Sequence, residues 1–124
     1  MRTELKYIEL KTGYGNENGP AWIGRALPSK SGRAFYFNGK AFRRIRFLNV
    51  SNYVSDDDED YWISGVKKSG SNRSVHGSGK IMLQKLAVEE FLVHTGQEKV
   101  DTRLYDIVDI PDDFSAKEKQ LAAR

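Results

Sequence analysis

The sequence predicts a mainly β domain of the α+β class: a small antiparallel β-meander or barrel of five to six strands, with one helix packed near residues 85–95. Three observations carry that prediction. Residues Ala21 to Phe47 fall into short alternating segments separated by Pro28-Ser-Lys-Ser-Gly32 and Asn38-Gly39, which is the pattern of consecutive antiparallel hairpins. The hydrophobic period changes from about two residues to about 3.6 once, near Lys85. A chain of 124 residues is long enough for one core and too short for two.

The elements follow in order. Lys6 to Lys11 alternates as a first strand, with Tyr7 and Glu9 on one face and Ile8 and Leu10 on the other. Thr12 to Pro20 is dense in Gly, Asn and Pro and reads as a loop. Trp22 to Leu27 is the second strand, Gly32 closes a tight connection in the left-handed region, and Arg33 to Phe37 is the third. Asn38-Gly39 suits a type I′ turn because both central residues need positive φ, and Lys40 to Phe47 is the fourth strand. Asn49 to Asp60 is expected to be an exposed loop, since Asp56-Asp-Asp-Glu-Asp60 repels itself and favours neither strand nor helix. Tyr61 to Val66 is the fifth strand, Lys67 to Gly79 a Ser/Gly/Asn-rich loop, and Ile81 to Leu83 a further apolar segment. From Lys85, Leu86, Ala87, Phe91 and Leu92 share one helical face, and Gly96 stands at the left-handed cap. Residues 1–96 thus form a compact β-rich domain. Residues 97–124 read as a C-terminal extension, with a strand over Arg103 to Ile110 and a short helix opened by Ser115-Ala-Lys-Glu118.

Composition excludes several chemistries. Without cysteine there is no disulfide framework, thiolate metal site or thiol nucleophile, and stability rests on packing. An apolar fraction of 39% beside 30% charged residues, with no long apolar run, predicts a soluble protein that does not span a membrane. Met1-Arg-Thr-Glu-Leu-Lys6 lacks the apolar stretch of an export signal, so the expected location is the cytoplasm. The net charge of +3 conceals a segregation: residues 1–50 carry a formal +7 and residues 51–60 a formal −5.

Several motif fragments fail on inspection. Gly13-Tyr-Gly15 begins a dinucleotide fingerprint, but Asn18 replaces its third glycine and Pro20 follows where a helix should open. His76-Gly-Ser-Gly-Lys80 resembles the end of a phosphate-binding loop, yet Ser74 stands for the first glycine and Ile81 for the magnesium-binding hydroxyl. The Asp56–Asp60 run lacks the turn glycine and distal glutamate of a calcium loop. No cofactor and no metal are therefore expected. His94 suits the negative end of the helix dipole. His76 is the one histidine available as a base in the basic loop, without a recognisable nucleophile context around Ser64, Ser69, Ser71, Ser74 or Ser78.

The most informative stretch is Arg33 to Phe47, where Arg33, Lys40, Arg43, Arg44 and Arg46 alternate with Phe35, Tyr36, Phe37, Phe42 and Phe47. Two readings are open. Cations that neutralise phosphates beside rings that stack on unpaired bases, at about 1–3 kcal/mol per base, make a nucleic-acid face. Phe filling a core with Arg covering its edges makes an ordinary hairpin. The candidate anion contacts are Arg33, Lys40, Arg43, Arg44, Arg46, Lys67, Lys68, Arg73 and Lys80; the candidate stacking or partner contacts are Tyr36, Phe42, Trp22 and Trp62.

Lys6-Tyr-Ile-Glu-Leu-Lys-Thr-Gly13, Gly19-Pro-Ala-Trp-Ile-Gly24, Ser29-Lys-Ser-Gly32, Tyr36-Phe-Asn-Gly-Lys-Ala-Phe42 and Tyr61-Trp-Ile-Ser-Gly-Val-Lys-Lys68, with Gly79-Lys-Ile-Met82 and Val88-Glu-Glu-Phe-Leu92, carry a resemblance over roughly Lys6 to Gly96. They resemble a family of short uncharacterised bacterial proteins, some of which bear the name 1-deoxy-D-xylulose-5-phosphate synthase. That name belongs to a large thiamine-diphosphate enzyme with a cofactor site between two big domains, which a chain of this length cannot house. The resemblance implies a bacterial cytoplasmic origin and supplies no catalytic residue.

The leading functional expectation is a non-enzymatic binding module for an anionic partner, nucleic acid first. The alternative is an adaptor or inhibitor that docks a protein through Trp22, Trp62 or a sheet edge. A third is a small hydrolase or transferase using His76.

Overall fold

The computed structural model of the chain describes residues 2–11, 19–48, 51–68 and 79–117. Its strands are β1 (Glu4–Leu10), β2 (Ala21–Pro28), β3 (Ala34–Phe37), β4 (Lys40–Leu48), β5 (Ser51–Ser55), β6 (Asp60–Gly65), β7 (Ile81–Gln84) and β8 (Tyr105–Val108). One helix, α1 (Val88–Thr95), follows a 3₁₀ turn at Lys85–Ala87. Strands β1 to β6 pair in the order β1-β6-β5-β4-β3-β2, and β1 also pairs with β2, which closes an antiparallel six-stranded barrel. Closure removes the free edges that an open meander would leave. β7 then joins β2 in parallel, and β8 joins β7 in parallel outside the barrel.

The turn chemistry is as the sequence predicts. Asn38 and Gly39 have φ of 49° and 78°, and Phe37 pairs with Lys40 across them. Gly32 adopts φ 74° after the Gly32 amide has donated to the Ser29 carbonyl at 3.0 Å. Gly96, at φ 71°, caps α1 by donating its amide to the Leu92 carbonyl.

Two expectations are corrected. Residues 51–55 are not loop but β5, with Ser51, Tyr53 and Ser55 turned inward and buried. The strand is held by its neighbours rather than by its own hydrophobicity: Asn52 exchanges side-chain hydrogen bonds of 2.8 Å with both backbone groups of Ile63. The Ser55 hydroxyl bonds the Asp57 carboxylate and accepts from the Glu59 amide at 3.1 Å, shaping the turn into β6. Leu86 is the second correction: it is half exposed, because the 3₁₀ turn places it outside the face that buries Ala87 and Phe91.

β1 is buried on both faces. Its Ile8 enters the barrel interior with Ala26, Phe35, Phe37, Phe42, Tyr53, Tyr61 and Ile63. Its Tyr7 faces outward, into a second cluster with Ile23, Leu83, Phe91 and Tyr105 beneath α1. Glu9 is buried on the same outer face, where its carboxylate accepts from the Tyr7 hydroxyl and from the Lys11 ammonium at 2.7 Å. Burying a carboxylate without such donors is costly.

β2 shares one edge between two partners. Trp22 and Ile23 pair with β7, whereas Leu27 and Pro28 pair with β3. Gln84, fully buried, fills the space between them. Its Oε1 accepts from the Arg25 amide at 2.8 Å, and its Nε2 donates to the Ile110 carbonyl and to Asp112 Oδ1, each at 3.0 Å. Gly24 occupies the tightest point, where a Cβ would lie 2.5 Å from Phe37 Cε1. Beyond β8 the chain returns to the barrel: the Gly39 amide donates to the Asp113 carbonyl at 2.8 Å, and Ala116 is buried against Leu27, Tyr36 and Ala41.

Candidate anion-binding interface

Register places the bases Arg33, Arg44 and Arg46 and the Asp56–Glu59 acids at opposite ends of the barrel, while Glu4 of β1 lies at the basic end and pairs with Lys6 at 3.5 Å. β1 begins, and β2, β4 and β6 finish, at one end; β5 finishes, and β4 and β6 begin, at the other. The acidic turn Asp56–Glu59 joins β5 to β6 and therefore lies at the second end. Arg33, Arg44 and Arg46, all exposed, lie at the first end together with Lys30 of the β2–β3 connection.

Within that basic end, the pairing of β3 with β4 fixes the backbone positions of the arginines. Ala34 pairs with Arg43, and the Arg44 amide donates to the Arg33 carbonyl at 2.8 Å, so Arg33 and Arg44 stand opposite each other on adjacent strands. Arg44 also pairs with Tyr53 of β5. Among the described residues none of Arg33, Arg43, Arg44 and Arg46 forms an ion pair. Like charges directly opposed on a sheet are destabilising. Burial raises the Tyr53 hydroxyl above its ordinary value of 10.0; the Arg44 charge opposes that rise and the Glu4 carboxylate adds to it.

The remaining bases are distributed differently. Lys67 and Lys68 follow β6 at the same end and are exposed. Lys40 begins β4 beside the Asn38-Gly39 turn, at the acidic end, where its ammonium donates to Asp57 at 2.7 Å. That bond holds Lys40 above its ordinary 10.5 and Asp57 below its ordinary 3.8. Lys80, near the start of β7, pairs with Asp106 at 3.5 Å. Neither Lys40 nor Lys80 joins the arginines. Arg73 and His76 lie outside the described residues. Arg25, on the outer face of β2, is taken by Asp112 at 3.2 Å and Glu90 at 3.7 Å. Its neighbour α1 sets Glu89 and Glu90 beside Leu5 of β1, which leaves the β3–β4 side as the basic one.

The aromatic candidates are corrected. Phe42 is inside the barrel, edge-on to Tyr61 with ring centroids 4.8 Å apart. Tyr36 faces outward but is covered by the Phe114–Ala116 segment. Neither ring is available to stack on a base. Trp22 and Trp62 are half-buried, Trp22 against the barrel interior and Trp62 against the outer cluster. Phe35 is also inside, 5.9 Å from the Tyr53 ring, and the Lys6 ammonium lies 5.1 Å from its centroid.

Lys6 and Lys30 belong to the basic end and were not among the residues that the sequence singled out. Strand direction was the signal that could have found them. In consecutive hairpins alternate turns share an end, so the Ser29–Gly32 connection must meet the finish of β4, and Lys40 must lie about 20 Å from Arg46 at about 3.3 Å per residue. His94 has a structural role: its Nε2 donates to the Val66 carbonyl at 2.6 Å, tying α1 to the end of β6. Among the described residues no group of three His, Asp or Glu side chains is placed to hold a metal ion, and no helix is long and apolar enough to cross a membrane. No family model, curated protein or solved structure matches the chain.

Proposed function

We propose that this protein is a non-enzymatic binding module for an anionic partner, nucleic acid first, and that the basic end of the barrel is its contact surface. The observation that carries the reading is the opposed pair Arg33 and Arg44, without an ion pair among the described residues, with Arg46 further along β4 and Arg43 on the opposite face of that strand. Guanidinium groups held on paired strands suit bidentate contacts with phosphate oxygens. The acidic turn at the far end makes the field dipolar, which would present the basic end first to a polyanion. Anisotropy of labelled single- and double-stranded oligonucleotides titrated with the protein at several salt concentrations tests this. Binding that weakens steeply with salt supports it, and no binding at low salt overturns it.

A second reading, a protein-binding adaptor or inhibitor, is favoured by one observation. Among the described residues β8 ends the strand order, and Ile107 of β8 and Leu104 just before it are each about half exposed. An edge of this kind accepts an added strand from a partner. Nuclease-resistant co-purification of a single protein would favour this reading over the first. On either reading the protein works in the cytoplasm, and the resemblance of residues 6–96 points to a bacterial one.

A further inference from the structure

We infer that the basic end recognises the phosphodiester backbone of a duplex and does not read bases. The inference rests on the anion-binding role proposed above and adds to it which nucleic acid is bound and through which groups. Single-strand binders gain their affinity from rings on which unpaired bases stack. Here four rings of β3 and β4, Phe35, Tyr36, Phe37 and Phe42, are committed elsewhere. Phe35 packs on Tyr53 and lies under the Lys6 ammonium, Phe37 fills the space before Gly24, Phe42 meets Tyr61, and Tyr36 is covered by the segment around Ala116. Exposures of 7%, 3%, 2% and 5% for Phe35, Phe37, Phe42 and Tyr36 leave none of these four a free face.

Sequence reading in the major groove is restricted for a related reason. A two-stranded ribbon can enter that groove when it projects. β3 and β4 are instead flanked by β2 and β5 in a closed barrel, so the pair offers an end and a surface rather than a free ribbon. What remains is charge, on a β4 whose pairing with β5 shifts register after Arg44. Arg33 and Arg44 are opposed across the ladder, and Arg46 follows two residues along β4. A surface limited to phosphate contacts favours the partner with the higher linear charge density. A duplex carries one charge per about 1.7 Å of axis, against about 3.4 Å for one of its strands.

The test uses the full chain with four labelled probes of equal length: a duplex, each of its strands alone, and a duplex of unrelated sequence. The expected result is tighter binding of both duplexes than of either strand, with the two duplexes within about twofold of each other. Arg33→Gln and Arg44→Gln should each reduce the salt slope by about one unit without altering that ranking, and circular dichroism melts should show both variants folded. Tighter binding of a strand, or a large difference between the duplexes, overturns the inference while leaving the anion-binding role intact. No binding of any probe, or of heparin, at low salt overturns both.

Discussion

Arg33 and Arg44 face one another across the β3–β4 ladder, joined by a 2.8 Å hydrogen bond from the Arg44 amide to the Arg33 carbonyl, and neither meets a carboxylate among the described residues. Opposed like charges on neighbouring strands are destabilising. Replacing one of them should therefore relieve repulsion in the free protein while removing a contact from the complex. Arg44→Gln is expected to leave the urea midpoint unchanged or slightly higher and to weaken polyanion binding. A loss of both stability and affinity would indicate that Arg44 supports the fold.

Lys40 serves as the internal control. It lies at the acidic end and bonds Asp57 at 2.7 Å, so Lys40→Gln should leave oligonucleotide affinity within about twofold of the parent, in contrast to Arg44→Gln. A drop equal to that of Arg44→Gln would place the contact surface elsewhere.

The same pair sets an acid response. Asp57 is held below its ordinary 3.8, first by the hydrogen bond from Lys40 and then by that from Ser55. A depressed carboxylate contributes stability above its unfolded value, and that contribution disappears as the pH falls through the folded value. Urea midpoints of the parent and of Asp57→Asn should therefore differ near neutrality and converge as the pH falls below the ordinary carboxylate value and through the depressed one. The difference should be small, because both side chains are more than a third exposed. Curves that stay parallel into acid would contradict the assignment.

Gly24 supplies a packing prediction. A Cβ at this position would lie 2.5 Å from Phe37 Cε1 and 2.9 Å from Gln84 Oε1, both fixed within the core. Gly24→Ala is expected to cost about 1–3 kcal/mol by overpacking, read from the urea midpoint. Gln84→Leu should cost a similar amount, because it leaves the Arg25 amide and the Ile110 carbonyl without their partner. Neutral outcomes for both would mean that the junction of β2 with β3 and β7 is loosely packed.

These sites show what could be read from the chain and what could not. The hairpins around Gly32 and Asn38-Gly39 were legible because their turns demand particular residues at positive φ, and the helix was legible from Phe91 and the Gly96 cap. β5 was not, because two of its three inward residues are serines and its buried position comes from pairing with β4 and β6. Barrel closure is a non-local event, so nothing in the alternation of β1 foretells that Glu4 to Glu9 will pair with Ala26 to Ala21. The basic residues were legible as a class, but their partition between the two ends depends on strand direction. The rings were over-read: period-two alternation tells which residues share a face but not which face a barrel encloses.

The most direct test of the central claim is the affinity of the unmodified chain for a labelled duplex over a salt series. Three to five phosphate contacts predict a straight line of log affinity against log salt with a slope of about −2.7 to −4.5. No binding at the lowest salt, or an affinity that does not change with salt, would contradict it.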